Sequence, residues 1–158
     1  MLYGVALQNN VNTLFFIFKL RNLNAGEELE SDMVNPETFE GSCHCGTVKF
    51  EVTMHDGLAN PRRCNCSLCR RKGAVMETLT TNNFRLIAGA ESLSLYQWNT
   101  KTAKHYFCKI CGIYTHHQRR IDANQFGFNV GCLENVDPLS FDDIEIVDGA
   151  SGSVVEAD

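Results

Sequence analysis

The sequence predicts a mainly β domain, and three observations predict it. Short runs of alternating apolar and polar residues recur along the chain. Gly and Asn turns separate them. All eight cysteines fall between residues 43 and 132, seven of them in three tight clusters.

The elements follow in order. Residues 1–37 read as an N-terminal extension: Asn9, Asn10 and Asn12 break the apolar pattern, and residues 24–28 (NAGEE) read as a turn. Residues 14–20 fit an added strand or a short helix equally well. Residues 48–52 (VKFEV) alternate as a half-buried strand. A short helix is predicted at residues 66–72. Residues 85–88 (RLIA) form a strand before a Gly89 turn, and residues 93–98 (LSLYQW) alternate again. Residues 105–108 (HYFC) lead into a tight turn at Gly112. Residues 125–130 (QFGFNV) form another strand, a second short helix is predicted near residues 138–141, and residues 144–147 (IEIV) close the ordered part. The main domain spans residues 38–148, and residues 149–158 read as a small, acidic, loose tail.

Composition narrows the function classes. At 158 residues the chain has the length of one domain that folds without staples. An apolar fraction of 44% excludes a disordered chain. No run approaches 18 apolar residues, and residues 14–18 lack the basic flank and cleavage site of a secretion signal. The expected compartment is the cytoplasm, with no membrane partner. The net charge of −5 hides a division: residues 42–133 hold 12 of the 14 Lys and Arg but 5 of the 19 Asp and Glu. The acidic flanks argue against a large nucleic-acid footprint, while the basic segment suits thiolates or an anionic ligand.

The cysteines carry the chemistry. Cys43-His44-Cys45 is C-x-C, Cys64-Asn65-Cys66-Ser67-Leu68-Cys69 is C-x-C-x-x-C, and Cys108-Lys109-Ile110-Cys111-Gly112 is C-x-x-C-G. A chain of this length without a secretion signal points away from disulfides and toward chelation. On a strand, i and i+2 share a face, so both sulfurs of C-x-C reach one ion. Cys43, Cys45, Cys108 and Cys111 therefore make a tetrahedral all-sulfur site for a structural zinc, worth on the order of 10 kcal/mol of folding free energy. Cys64, Cys66 and Cys69 remain. Three ligands with an open fourth position mark a catalytic zinc; Cys132 closing the set is the alternative, and would make a second structural site. Arg62, Arg63, Arg70, Arg71 and Lys72 flank this loop without an acid among them. The arginines are candidates for gripping ligand carboxylates, against the reading of a solvated loop surface. His117, in Thr115-His116-His117-Gln118-Arg119-Arg120, is a candidate ligand contact, with one histidine of the pair facing a cleft and the other turned away. His44 turns away from the metal, and Tyr96 and Trp98 are expected in the core or a cleft wall.

Four segments in order, Gly41–Gly46 (GSCHCG), Cys64–Arg70 (CNCSLCR), Tyr106–Gly112 (YFCKICG) and Phe128–Glu134 (FNVGCLE), resemble the glutathione-dependent formaldehyde-activating enzyme family, the group that includes centromere protein V. The match runs over residues 39–148. The resemblance implies a zinc-centred fold of several small antiparallel sheets with two zinc ions per chain, a structural one on Cys43, Cys45, Cys108 and Cys111 and a catalytic one on Cys64, Cys66 and Cys69. It implies the activity of an S-(hydroxymethyl)glutathione synthase, a carbon–sulfur lyase in the reverse direction, acting on glutathione and formaldehyde or a related thiol and aldehyde. A zinc-stabilised binding module for a protein or nucleic-acid partner is the alternative.

Overall fold

The structure, a computed structural model, describes residues 35–151. The candidate strand or helix at residues 14–20 and residues 152–158 of the predicted tail lie outside the described residues. Strands β1 (Glu37–Ser42), β2 (Lys49–Met54) and β5 (Phe84–Ala88) form a three-stranded antiparallel sheet with β2 in the centre. A second sheet has seven strands: β3 (Arg62–Cys64), β4 (Met76–Thr80), β6 (Leu93–Tyr96), β7 (Lys104–Cys108), β8 (Tyr114–Gln118), β9 (Gln125–Asn129) and β10 (Glu145–Val147). Its order is β10-β3-β4-β9-β8-β7-β6. Only the β10–β3 pair is parallel among these. The mainly β reading, with antiparallel pairing throughout the rest, is what the structure shows.

The alternation of β2 sets the core. Phe50 and Val52 point inward while Lys49 faces water. They meet Val75, Leu79 of β4, Phe128 of β9, and Val130, Cys132 and Leu133 beyond it. Each such fully buried side chain contributes about 1.5–3 kcal/mol. Aromatic rings fill the middle: Phe50 stacks on Phe84 at 5.3 Å, and Phe84 meets the edge of Phe126 at 5.1 Å. His116 joins them, 4.6 Å from the Phe84 ring and 4.6 Å from that of Tyr106.

Local physics explains where the sequence reading differs. The first predicted helix shrinks to α1 (Cys69–Lys72), which Gly73 ends in a left-handed conformation. No helix forms at residues 138–141; Asp137 intercepts the chain there. Its carboxylate accepts from Leu139 N at 2.8 Å and its carbonyl from Ser140 Oγ at 2.7 Å, which makes a turn. Strand β4 escaped notice because Glu77 sits in it, only 3% exposed. Its carboxylate is satisfied by Asn60 N at 2.8 Å and Thr78 N at 3.2 Å, so an acid occupies a core position. Strand β6 stops at Tyr96, which is exposed rather than packed. No helix among the described residues is long and apolar enough to cross a membrane.

Burial among aromatic rings pushes His116 from 6.5 down to about 4. The folded state resists a proton that the unfolded chain accepts near pH 6.5. The stabilisation is therefore complete above pH 6.5 and drains as the pH falls toward 4, a loss on the order of 3 kcal/mol. Denaturant titrations from pH 7 to 4 should show a steeper loss for the unaltered chain than for His116→Phe, by about one proton. Equal slopes would contradict this placement of His116.

Candidate functional site

Two groups of sulfurs lie close enough to share an ion. In the first, the Sγ atoms of Cys43, Cys45, Cys108 and Cys111 all lie within 4.8 Å of one another. Cys43 and Cys45 sit in the turn after β1, not on a strand as the i, i+2 argument assumed. Gly46 N donates to Cys43 O at 2.8 Å, and this turn makes the sulfurs converge. Cys108 ends β7, and Gly112 N closes back on Cys108 O at 2.8 Å with a φ of 76° that glycine alone adopts cheaply. The Cys43–Cys45 and Cys45–Cys108 sulfur separations are 3.5 and 3.7 Å. A tetrahedral ion with bonds of about 2.3 Å sets its sulfurs about 3.8 Å apart. The group ties the β1–β2 turn to the β7–β8 turn across two sheets.

Cys64, Cys66 and Cys69 form the second group, also within 4.8 Å. Cys64 ends β3, Cys66 follows in the loop, and Cys69 opens α1. Backbone amides point at two of these sulfurs: Cys66 N lies 3.5 Å from Cys64 Sγ, and Cys69 N lies 3.3 Å from Cys66 Sγ. Burial, then the neighbouring Cys64 and Cys66, push the Cys69 thiol up to about 12; Lys72 acts against them. Three such thiols cannot ionise together unless a cation replaces their protons. All eight cysteines are free. Both groups could hold a metal ion, and all-sulfur donor sets are consistent with zinc. Cys132 belongs to neither group; it is buried, and its sulfur faces Tyr114 O at 3.7 Å.

The second group lines a cleft of about 180 Å³. Trp98, His105, His117, Arg119, Arg120 and Gly149 complete its polar and aromatic wall. Two close approaches depend on missing side chains. A Cβ on Gly127 would sit 2.2 Å from the His117 ring, and one on Gly149 would sit 2.3 Å from Cys64 Sγ. Residue 149 is held there by Asn65, which lies between two of the cysteines. Its Nδ2 donates to Asp148 Oδ1 at 3.0 Å, and its Oδ1 accepts from Ala150 N at 2.8 Å. Behind the cleft, Tyr114 Oη lies 3.1 Å from His105 Nδ1 and 2.7 Å from His117 Nδ1. Lys72 Nζ lies 3.0 Å from His105 Nδ1 and 3.5 Å above the Tyr114 ring centre. Burial lowers Lys72 to about 8, against the pull of the thiolates.

The candidate residues separate in space. His117 shares the cleft with Cys64, Cys66 and Cys69, while His116 turns into the aromatic core. None of the four candidate arginines lines that cleft. Arg62 donates to Thr78 Oγ1, and Arg71 to Ser67 O at 2.6 Å. Arg63 and Arg71 border another groove with Pro138 and Leu139, and Arg70 is exposed on α1. The cleft's own cations are Arg119 and Arg120, which the sequence reading passed over. Arg119 is anchored by Gln125 Oε1. The signal that could have found Arg119 is its period: in an extended run, His117 and Arg119 share a face.

The two sulfur groups predict different losses. Cys108→Ser should unfold the domain at neutral pH, whereas Cys64→Ser should stay folded and carry one ion fewer. Metal counting beside circular dichroism checks both. A folded Cys108→Ser would contradict a structural role for the first group, and a Cys64→Ser stripped of both ions would contradict two independent sites.

Comparison with known proteins follows the same residues. A family model described as "Glutathione-dependent formaldehyde-activating enzyme" matches residues 38–146. A Halomonas elongata relative carrying that family name is 36% identical over 81 residues, 46% of this chain and 50% of its own. A relative from Emericella nidulans is 29% identical over 76 residues, 46% of this chain and 38% of its own. The chain thus spans half or less of the length of these curated relatives. A crystal structure of a Rhodobacter sphaeroides protein superposes with a TM-score of 0.66 and 49% identity, over 68% of this chain and 99% of that one. The cysteine motifs, the paired sheets and these matches agree: the chain belongs to the glutathione-dependent formaldehyde-activating enzyme family.

Proposed function

We propose that the chain joins a thiol of the glutathione class to formaldehyde, or splits their adduct, as an S-(hydroxymethyl)glutathione synthase and carbon–sulfur lyase does. One observation carries this reading: three sulfurs that could hold an ion line a cleft that also presents two imidazoles, two guanidiniums and an indole. The family name adds the substrates. Cys43, Cys45, Cys108 and Cys111 hold a structural zinc, and Cys64, Cys66 and Cys69 hold the zinc that supplies Lewis acidity in the cleft.

The protein's own groups do the rest. Arg119, fixed by Gln125, and Arg120 hold the carboxylates of the tripeptide. Arg62, Arg63, Arg70 and Arg71 contribute positive potential around the loop rather than contacts. Trp98 adds an apolar ring to the cleft wall. The substrate sulfur, as thiolate, attacks the carbonyl carbon; an S–C bond forms and the C=O π pair moves to oxygen. Protonation of that oxygen completes the hydroxymethyl thioether. Free thiols and a thiol substrate fit a reducing compartment such as the cytoplasm.

Exchange between free and adducted ¹³C-formaldehyde, followed by NMR with glutathione present, tests the reading. The zinc-loaded protein should speed exchange above the unaided rate. Arg119→Gln should raise KM for glutathione roughly 10- to 100-fold, and leave a thiol without carboxylates, such as 2-mercaptoethanol, nearly unaffected. A zinc-loaded chain that neither binds glutathione nor accelerates exchange would refute it.

A further inference from the structure

The hydrogen bonds behind the cleft constrain where two protons sit. An ammonium has three N–H groups and no lone pair, so Lys72 can only donate to His105 Nδ1, 3.0 Å away. That nitrogen of a neutral imidazole has a single lone pair, which Lys72 takes. Tyr114 has one O–H and two imidazole nitrogens within reach. With His105 Nδ1 occupied, the hydroxyl donates to the nearer one, His117 Nδ1 at 2.7 Å. Both Nδ1 atoms are then acceptors, and each ring carries its proton on Nε2.

Both rings line the cleft, and among the described residues neither Nε2 has a hydrogen-bond partner. No buried side-chain nitrogen or oxygen there lacks a partner, so neither Nε2 is sealed in the interior. The surface these rings line is the cleft shared with Cys64, Cys66 and Cys69. The rings stack with centres 5.3 Å apart and planes 29° apart, and both turn Nδ1 to the one Tyr114 hydroxyl.

We propose that His105 and His117 form a two-donor subsite for the aldehyde-derived oxygen of the adduct, with their tautomers locked by Lys72 and Tyr114. The proposal rests on the function given above. As the S–C bond forms, the carbonyl π pair becomes charge on oxygen, and two N–H···O contacts stabilise it there. The proton lost by the thiol reaches that oxygen through solvent, so the imidazoles finish the step unchanged. Burial supports the donor role, because it keeps both rings neutral at pH 7: His105 is lowered to about 4 and His117 to about 3, with the nearby Lys72 charge adding to the effect in each. His105 and His117 touch the substrate; Lys72 and Tyr114 are positioning residues.

Long-range ¹H–¹⁵N correlation on the ¹⁵N-labelled, zinc-loaded chain reads each tautomer directly, with His105→Gln and His117→Gln for assignment. Both rings should be neutral and protonated at Nε2 at pH 7. Tyr114→Phe should let His117 populate the Nδ1–H form, and should lower kcat for adduct exchange roughly 10- to 100-fold with KM for the thiol unchanged. Lys72→Met should release His105 Nδ1 and mix both tautomers. An Nδ1–H proton at either ring of the unaltered chain overturns the lock, whatever the activity. A correct tautomer pattern in a protein that fails to speed exchange overturns the function instead, and with it the oxygen as ligand. Unchanged kcat in both His→Gln variants overturns the subsite.

Discussion

Repulsion between crowded sulfurs is the constraint on which the rest of this structure depends. Seven thiols lie in two groups, each with its sulfurs within 4.8 Å. Left bare, such groups hold their protons unevenly: burial pushes Cys43 up to about 11, while the hydroxyl and amide of Thr47 bring Cys45 down to about 6. A divalent cation removes the conflict by taking the place of the protons. The first group then joins two turns that no sheet hydrogen bond connects. Around it the apolar residues are few: Val48 is buried with Cys43 and Cys108, and Leu86, Leu93 and Ile113 lean on them. The larger core lies between the sheets, around Phe50 and Phe128. The chain thus has an apolar anchor and, in a sulfur group that could hold an ion, a place for a coordinative one.

Much of this was legible because the information was local. Cysteine spacing is read within six residues, and both sulfur groups consist of the cysteines whose spacing pointed to chelation. Strands β2, β6 and β9 showed their alternation openly. Where the rule was right for the wrong reason, the backbone explains it: Cys43 and Cys45 converge through a turn, since the strand ends one residue earlier, at Ser42. Strand β8 was hidden because Thr115, His116 and His117 are all polar by name, although Thr115 and His116 are among the most buried residues.

The cleft was less legible because it is assembled from distant segments. Its sulfurs come from residues 64–69, its imidazoles from β7 and β8, and Gly149 from beyond β10. Sequence proximity pointed to Arg62, Arg63, Arg70 and Arg71, and the fold sends these side chains elsewhere. Lys72 flanks the same loop in the sequence. Its position three residues after Cys69, one turn along α1, instead carries it inward against Tyr114 and His105. Only the pairing of β7 with β8, which sets His105 opposite His117, makes that network possible.

The segment around Gly149 adds a matter of timing. Asn65 is bonded to Ala150, 85 residues further along. During synthesis the loop bearing three thiols therefore leaves the ribosome well before the piece of chain that packs on it. Until β10 arrives beside β3, Cys64 lacks the backbone that later presses against its sulfur. In that interval the Cys64 sulfur is open on the side that Gly149 later covers.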